Sequence, residues 1–281
     1  MGLMDELLAD LRAETAEFDS MIEGLGPDGW ELPTPAQGWA IRDQVGHLAW
    51  FDDAATVSAT DPEAFRAAKP AFLARGGSAV DELAAASRGL TAGQLREWFR
   101  EARAHSLEAF ARLDAGTRLP WYGPEMSAAS FVTARLMETW AHGQDVADAL
   151  GVTRVPTARL RHVATLGVRA VPYNFTVRGL EAPSRPVRVE LTMPDGSPWE
   201  AGPPDAADVV RGPMIDFCLL VVRRRHLDDT SLLVRGETAR AWTAIAQAFA
   251  GPPGEGRPPL GPGSRSGASQ GNAGWSRPRP A

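Results

Sequence analysis

One glutamate and two histidines are the residues of this chain whose types and spacing could do chemistry. Glu138 and His142 lie four residues apart, and residues at positions i and i+4 share one face of an α-helix. His47 lies in a second stretch with helical spacing and would complete the set from another helix. Two imidazoles and one carboxylate can hold a divalent metal ion and leave coordination positions open for water or substrate. The three residues therefore predict the open metal site of a metalloenzyme.

Polar residues around the pair form one stripe along a helix that is otherwise apolar. The stripe consists of Arg135, Glu138, His142 and Asp145, which are spaced by three, four and three residues. Polar side chains that face a core cost free energy unless they are paired or coordinate a ligand. The same spacing also suits two ordinary helix ion pairs, Arg135 with Glu138 and His142 with Asp145. The spacing alone leaves a metal site and a salt-bridged surface as alternatives.

Two aspartates are placed where they could orient the histidines of a metal site. Asp145 lies one turn after His142, and Asp43 lies one turn before His47. Metal-ligating histidines usually donate their second ring N–H to a carboxylate or a carbonyl, and this contact fixes the ring tautomer. We therefore expect Asp145 and Asp43 to accept hydrogen bonds from the two candidate histidine ligands.

Composition limits the partners of the chain. Its 281 residues carry a formal net charge of −6, and 44% of them are hydrophobic. This balance has no broad basic field of the kind that attracts nucleic acid. The longest apolar run, 214–222, is far shorter than a membrane span, and the first residues lack the pattern of a signal peptide. We expect a monomeric cytoplasmic protein that acts on a small molecule and has neither a nucleic-acid nor a membrane partner.

Cys218 is the only cysteine of the chain. A single cysteine excludes an internal disulfide and a metal site built of several cysteines, and it fits the reducing cytoplasm. Cys218 lies in a strongly apolar stretch, where burial makes a thiol inert. We therefore assign it to core packing, so that any thiol nucleophile must come from outside the chain.

The hydrophobic pattern predicts a helical first half and a mixed second half. Four amphipathic helices are predicted in the first half, at 3–25, 41–58, 91–113 and 127–150. The second half combines short alternating strands at 186–193, 199–201 and 208–211 with helices at 157–180, 214–223 and 237–249. We predict an α+β fold in which residues 1–155 form a four-helix bundle and residues 156–250 form a smaller α+β domain. Residues 251–281 are rich in Gly, Pro, Ser and Arg and are predicted to be a disordered tail.

Two stretches of the chain carry a family resemblance. Residues 38–48 and 135–151 resemble the N-terminal domain of the mycothiol-dependent maleylpyruvate isomerase family, which belongs to the DinB-like superfamily of metal-binding four-helix bundles. The second half resembles the small sterol-carrier-like α+β domain of the same group. The resemblance implies a divalent metal ion, usually zinc, held at the positions of His47, Glu138 and His142.

The resemblance also implies a reaction. In such enzymes the sulfur of a small thiol, mycothiol, ionises at the metal and adds to a conjugated cis double bond. Rotation and elimination then give the trans product in an isomerase, whereas a transferase keeps the adduct. We expect a thiol-dependent isomerase or S-transferase that acts on a small, conjugated, anionic substrate. Arg135 is the candidate catalytic residue, because a guanidinium can hold a carboxylate through paired hydrogen bonds.

Two other functions stand as alternatives. The first is a metal-dependent lyase, isomerase or hydrolase of the same fold that would use metal-bound water and no thiol. Such an enzyme could belong to a biosynthetic pathway. It would need a second carboxylate or histidine within reach of proton transfer. A non-catalytic protein that binds metal or an apolar ligand would show a long apolar tunnel in residues 157–250. Fe(II) oxygenases use the same ligand types, so iron and nickel stand beside zinc as candidate metals.

Overall fold

The computed structural model describes residues 2–249, 251, 253–254 and 256–260. The first half is helical, as predicted. Its helices are α1 (Leu3–Ile22), α2 (Pro27–Trp30), α3 (Ile41–Thr60), α4 (Pro62–Leu73), α5 (Ala79–Ser87), α6 (Ala92–Phe110) and α7 (Ala128–Leu150). A two-stranded antiparallel hairpin of β1 (Arg118–Leu119) and β2 (Met126–Ser127) leads into α7.

The four long helices α1, α3, α6 and α7 form the bundle. Helix α3 packs against α6 and α7, and α1 packs against α7. Apolar residues recur every three or four positions along these helices, which gives each helix a face that can be buried. Phe18, Ile41, Leu48, Phe99 and Val146 are among the buried residues of this interior. Because α3 and α7 are neighbours, the stretches that carry the candidate metal ligands lie side by side.

Both of these helices have well-defined ends. Helix α7 begins after Ser127, whose Oγ accepts a hydrogen bond from the backbone N–H of Ser130 at 3.2 Å. It ends at Gly151, which has a φ of +65°, a left-handed conformation that favours glycine. Helix α3 begins after Ala40, whose N–H donates to the carboxylate of Asp43 at 2.8 Å. Such caps satisfy backbone groups that have no partner within the helix.

The second half combines a four-stranded sheet with short helices. Its elements are α8 (Leu160–Arg169), α9 (Val171–Thr176), β3 (Val187–Thr192), β4 (Pro198–Ala201), β5 (Asp208–Pro213), α10 (Met214–Val221), β6 (Leu233–Arg235) and α11 (Glu237–Ile245). The strand order is β4-β3-β5-β6. The central strands β3 and β5 are parallel, and both outer pairs are antiparallel. The predicted α+β class is confirmed.

One apolar cluster connects the two halves of the chain. It contains Leu8 and Phe131 from the bundle together with Met214 and Trp242 from the second half. We propose that the boundary between two domains lies at residues 155 and 156, in the extended segment between α7 and α8. The shared cluster indicates that the domains fold against each other, since burial of apolar surface is the main favourable contribution to packing.

Two details differ from the sequence prediction. The helix predicted at 157–180 is divided into α8 and α9, because Pro172 cannot continue a helical hydrogen-bond ladder and instead lies in the first turn of α9. Strand β6 was not predicted, and it has only three residues. The backbone N–H of Leu260 donates to Asp229 at 2.8 Å, and Arg257 binds Asp148. These contacts fall in the segment predicted to be a disordered tail, and its disorder stays a prediction; residues 252, 255 and 261–281 of that segment lie outside the described part of the chain.

Candidate metal centre

The structure brings the three predicted ligands together. His47 projects from α3, whereas Glu138 and His142 project from α7 one turn apart. One ligand atom from each of the three side chains lies within 4.8 Å of the other two. Nε2 of His142 is 3.2 Å from Oε2 of Glu138, and Nε2 of His47 is 3.9 Å from the same oxygen. Three donor atoms therefore converge on one point between two helices.

The group is enclosed on most sides and open on one. The side chains of His47, Glu138 and His142 are 12%, 24% and 10% exposed. A catalytic metal site needs protein ligands that are held firmly and at least one position that a substrate can reach. The partial exposure of Glu138 meets the second requirement.

A hydrogen-bond chain that starts in the loop before α3 determines the tautomer of His142. The hydroxyl of Thr34 donates to the carbonyl of Trp39, and the amide nitrogen of Gln44 donates to that hydroxyl oxygen, each at 2.8 Å. The amide oxygen of Gln44 then faces Nδ1 of His142 and must accept a hydrogen bond from it. Nδ1 of His142 therefore carries a proton, and Nε2 faces Glu138.

The protonation states in this group suit a bound cation. Burial alone would raise the pKa of Glu138, but hydrogen bonds to His142 and His47 and their charges hold it well below its ordinary value. Burial, together with the charge of His142, lowers the pKa of His47 to about 4. Nε2 of His142 and Oε2 of Glu138 lie 3.2 Å apart, a pair that either a shared proton or a bound cation can bridge. The residues present therefore fit a divalent metal ion.

The two aspartates predicted to orient the histidines bind arginine side chains instead. Asp43 accepts hydrogen bonds from Arg88 at 2.9 and 3.0 Å and caps α3. Within the described chain, Nδ1 of His47 is buried and has no hydrogen-bond partner. The predicted contact between Asp43 and His47 is wrong, because the capping position turns the carboxylate back towards the start of the helix.

Asp145 is also misassigned by the sequence. Both ring nitrogens of His142 are already engaged, Nδ1 by Gln44 and Nε2 by Glu138. Asp145 instead accepts hydrogen bonds from Arg224 in the second half and from Arg257 beyond α11. The predicted contact is wrong because two guanidinium groups attract this buried carboxylate away from the imidazole.

Arg135 takes part in a buried network instead of pairing with Glu138. Its Nε donates to Asp52 at 3.1 Å, and Asp52 also accepts a hydrogen bond from Arg103 at 2.7 Å. Asp52 is fully buried. Nη2 of Arg135 is buried and has no partner among the described residues. Two guanidinium groups thus share one carboxylate, and one buried donor of Arg135 is unused within the described chain.

An aromatic cluster lines the site on the side of α3. The ring of Phe51 lies 4.6 Å from that of His47, and the ring of Trp39 stacks on that of His142 at 6.1 Å. Around Phe51, further rings pack against one another, those of Trp50, Phe65, Phe72, Trp121 and Tyr122. Burial raises the pKa of Tyr122 to about 12, so its phenol is neutral. Apolar walls with a few polar groups are typical of small-molecule sites.

A second group of possible ligands is a surface ion-pair network. Glu6, Asp10 and His162 bring their ligand atoms together on the surface. Arg161 donates to both carboxylates, and Nε2 of His162 lies 2.8 Å from Asp10. Because a guanidinium already supplies the positive charge, this group needs no metal.

Cys218 is fully buried, and burial raises the pKa of its thiol well above the ordinary value, which agrees with the predicted packing role.

Sequence reasoning missed the residues that support the ligands. Gln44, Thr34 and Asp52 are fully or almost fully buried polar residues. The signal that could have found Gln44 is its position on the apolar face of α3, three residues before His47, where an uncompensated amide would be costly. No spacing rule connects Gln44 with His142, because they are 98 residues apart in the sequence.

The chain is similar to known proteins in sequence and in fold. Residues 11–147 match the family model described as the mycothiol maleylpyruvate isomerase N-terminal domain. The uncharacterized protein Rv0036c of Mycobacterium tuberculosis (strain ATCC 25618 / H37Rv) is 47% identical over 250 residues, which cover 89% of this chain and 97% of the relative. The uncharacterized protein MT0041 of Mycobacterium tuberculosis (strain CDC 1551 / Oshkosh) matches equally well.

Two solved structures share the fold. The crystal structure of the mycothiol-dependent maleylpyruvate isomerase superposes with a TM-score of 0.54 at 16% identity, covering 80% of this chain and 90% of that protein. A mutant of the same enzyme gives a TM-score of 0.54 at 17% identity, with 81% and 91% covered. The predicted family resemblance is confirmed: this chain belongs to the family of proteins that contain the mycothiol maleylpyruvate isomerase N-terminal domain.

Proposed function

We propose that this protein is a metal-dependent enzyme that acts on a small conjugated anionic substrate with the help of mycothiol. The enzyme either isomerises the substrate or joins the sulfur of mycothiol to it. The observation that carries the proposal is the convergence of His47, Glu138 and His142 within 4.8 Å, with the tautomer of His142 set by Gln44. A divalent cation with open positions lowers the pKa of a thiol that coordinates it. Zinc is our first choice, because it suits two imidazoles and one carboxylate.

The residues of the chain would bind and orient the reactants. His47 stays neutral and Glu138 stays ionised near neutral pH, so both side chains are ready to coordinate without losing a proton. Nη2 of Arg135 is a buried donor without a partner in the described chain, and it would donate to a substrate carboxylate. The Asp52 carboxylate holds the guanidinium of Arg135 in place. A charge-assisted hydrogen bond of this kind contributes about 1.5–3 kcal/mol.

The aromatic cluster would contribute by excluding water. Phe51 contacts His47 directly, and the neutral phenol of Tyr122 lies among the rings behind it. A site with less water strengthens every electrostatic contact inside it. A conjugated planar substrate could also stack on these rings. We propose that this wall selects a flat apolar substrate body while Arg135 selects its anionic end.

The environment of the site favours a thiol over metal-bound water as nucleophile. A water mechanism needs a free carboxylate or histidine to accept a proton. On the helices that carry the ligands, the buried Asp43, Asp52 and Asp145 are each bound by arginine, and Asp53 is exposed and accepts a hydrogen bond from Trp98. Cys218 is buried and protonated, so the nucleophilic sulfur must come from an external thiol. We further propose that the protein is a cytoplasmic monomer, because its single buried cysteine is compatible with a reducing compartment.

A second candidate function has one observation in its favour. A groove of about 490 Å³ in the second half is lined mainly by apolar residues, including Met193, Pro213, Met214, Ile215 and Leu233. A protein that carries an apolar ligand would use such a groove. Binding of a fluorescent fatty acid that is lost in Leu233→Glu, at an exposed residue of the groove, with metal content unchanged, would favour this alternative.

The test of the proposed enzyme is turnover of maleylpyruvate by metal-loaded protein with and without mycothiol. We expect product only when both metal and mycothiol are present. His47→Ala should abolish turnover, whereas His105→Ala, which alters an exposed histidine, should leave it unchanged. Equal turnover without mycothiol would favour the thiol-independent alternative, and equal turnover by His47→Ala would contradict the proposed site.

A further inference from the structure

Arg223 has an unusual backbone conformation at the end of α10. Its φ is +62°, which makes it the one non-glycine residue with positive φ in the described part of the chain. Side chains rarely adopt this region because Cβ crowds the neighbouring carbonyl oxygen. Strained residues of this kind persist where the surrounding structure enforces them, and they are frequent at ligand sites.

The guanidinium of Arg223 is held in a confined place without a carboxylate. Its Nη1 is buried and has no hydrogen-bond partner among the described residues. The backbone at Gly256 covers the same group so closely that a Cβ there would lie 2.9 Å from Nη2. Burial, together with the charge of Arg178, lowers the pKa of Arg223. Arg223 as a whole is half-buried, and the costly part is the buried Nη1, which has lost water without gaining a partner among the described residues.

Arg178 adds a second positive charge near enough to act on Arg223, although it does not line the cavity beside Arg223; among the described residues, its hydrogen bonds reach no carboxylate. Its Nη1 donates to the backbone carbonyl of Asn174 at 3.2 Å, and its Nη2 reaches the amide oxygen of Gln247 at 3.5 Å. Both acceptors are neutral, so they orient the side chain without cancelling its charge. Arg178 and Arg223, the arginine pair, are therefore two oriented guanidinium groups that repel each other.

The carboxylates of this region are already engaged by other arginines. Asp145 binds Arg224 and Arg257, and Asp148 binds Arg225 and Arg257. These contacts leave the arginine pair as surplus positive charge in a chain whose net charge is −6. The missing counter-charge has to come from outside these ion pairs.

A small cavity lies beside Arg223. Its volume is about 50 Å³, and its lining includes Arg223, His226 and Thr243. A cavity of roughly 10–15 Å³ already holds one water molecule, so this one has room for a small oxyanion. The lining offers the guanidinium of Arg223 and the imidazole of His226 as donors to phosphate or carboxylate oxygens, whereas the hydroxyl of Thr243 already donates to the carbonyl of Ala239.

We propose that the arginine pair binds a small oxyanion, either inorganic phosphate or sulfate or the carboxylate group of a small metabolite. The bound anion neutralises the two guanidinium groups and accepts the hydrogen bond that Nη1 of Arg223 otherwise lacks. This site does not depend on the metal centre.

The test is calorimetric titration of metal-loaded, full-length protein with inorganic phosphate, against sodium chloride of equal ionic strength. We expect saturable binding of one phosphate per chain. Arg223→Gly should weaken binding at least tenfold and yet melt at the same or a higher temperature in chloride, because glycine relieves the strained φ. Arg178→Gln should also weaken binding, and Arg240→Gln, at an exposed arginine of the same half, should keep the affinity within twofold. Titrations with sulfate and acetate identify the preferred oxyanion, and binding of either one supports the site.

Several results would overturn the proposal. Phosphate, sulfate and acetate could all fail to bind, or phosphate could bind Arg223→Gly as tightly as the unaltered protein. His47→Ala separates this site from the metal centre: loss of phosphate binding in that variant would place the anion at the metal. Glu255 lies outside the described residues and is the chain's own carboxylate beside Gly256 in the sequence. If phosphate bound only to Glu255→Gln, this glutamate and no external anion would be the partner of the pair.

Discussion

The amide oxygen of Gln44 accepts a hydrogen bond from Nδ1 of His142, and this contact joins the two helices that carry the candidate metal ligands. Gln44 is fully buried and is itself fixed by Thr34 at 2.8 Å. The contact leaves Nε2 of His142 free to coordinate. Gln44, in the first turn of α3, thereby fixes a proton on Nδ1 of His142 in α7.

Replacing Gln44 tests this relationship. Gln44→Ala should lower the metal affinity of the protein by about 10–100-fold, which is the usual effect of removing the outer partner of a metal-binding histidine. Affinity would be measured by competition with a chelator of known strength. Gln37→Ala, at an exposed glutamine nearby, is the matched control and should leave the affinity unchanged. An unaltered affinity in Gln44→Ala would show that the tautomer of His142 is set in another way.

The buried carboxylate of Asp52 should be important for stability. Asp52→Asn would leave Arg103 and Arg135 buried without a counter-charge, and removing one partner from a buried ion pair costs about 3–5 kcal/mol. Urea denaturation would measure the loss of unfolding free energy. Asp53→Asn alters an exposed neighbour that accepts one hydrogen bond from Trp98, and it should cost less than about 1 kcal/mol. Similar losses in the two variants would refute a special role for Asp52.

Arg135 should recognise the anionic end of the substrate. Arg135→Gln removes the unpartnered Nη2 donor, while Arg103 still neutralises Asp52. We expect kcat/KM to fall about thirtyfold, equivalent to about 2 kcal/mol for a charge-assisted hydrogen bond, with metal content unchanged. Arg12→Gln, at an exposed arginine, is the control. A normal kcat/KM in Arg135→Gln would exclude this residue from substrate binding.

Acid should destabilise the metal-free protein through His47. Its folded-state pKa is about 4 and its ordinary value is 6.5, so the unfolded chain gains the proton first as the pH falls. The contribution of His47 is complete above pH 6.5 and is lost towards pH 4, by about 3 kcal/mol at about 1.4 kcal/mol per unit. Glu138 has a lowered pKa, so its contribution is lost below about pH 4.5, in the same direction.

Urea denaturation between pH 4.5 and 7.5 checks this dependence. His47→Leu should flatten the decline between pH 6.5 and 4.5, and His105→Ala should leave it as it is in the unaltered protein. An equally steep decline in His47→Leu would show that other groups cause the acid sensitivity.

Asp145 should stabilise the contact between the two halves of the chain without affecting the metal. Asp145→Asn weakens two charge-assisted contacts, to Arg224 and Arg257, and we expect a loss of about 2 kcal/mol in unfolding free energy. Metal affinity should change less than twofold. A drop in affinity as large as that of Gln44→Ala would instead restore the role of Asp145 in orienting His142.

The parts of the site that could be predicted are those encoded in local spacing. Glu138 and His142 share a helix face because they are four residues apart, and the resemblance of the stretch around His47 supplied the third member. The α+β class also followed from a change between helical and alternating patterns. These signals lie within short stretches of the chain, so they can be recognised in a single amino-acid sequence.

The supporting contacts could not be predicted because they depend on tertiary structure. Asp43 has the spacing of a partner for His47, but it pairs with Arg88, which is 45 residues away. Asp145 has the same apparent relationship to His142, but it pairs with Arg224, 79 residues away. In each case a guanidinium from another element competes successfully for the carboxylate, since charge-assisted pairs are the stronger hydrogen bonds.

The most direct test of the account is the metal content of the purified protein, measured by mass spectrometry together with circular dichroism of the same samples. The account predicts about one divalent metal ion per chain in the unaltered protein. It predicts a loss of at least tenfold in His47→Ala and Glu138→Gln, both still folded, and no loss in His105→Ala. A folded, unaltered protein without metal, or full metal content in His47→Ala, would contradict the proposed centre.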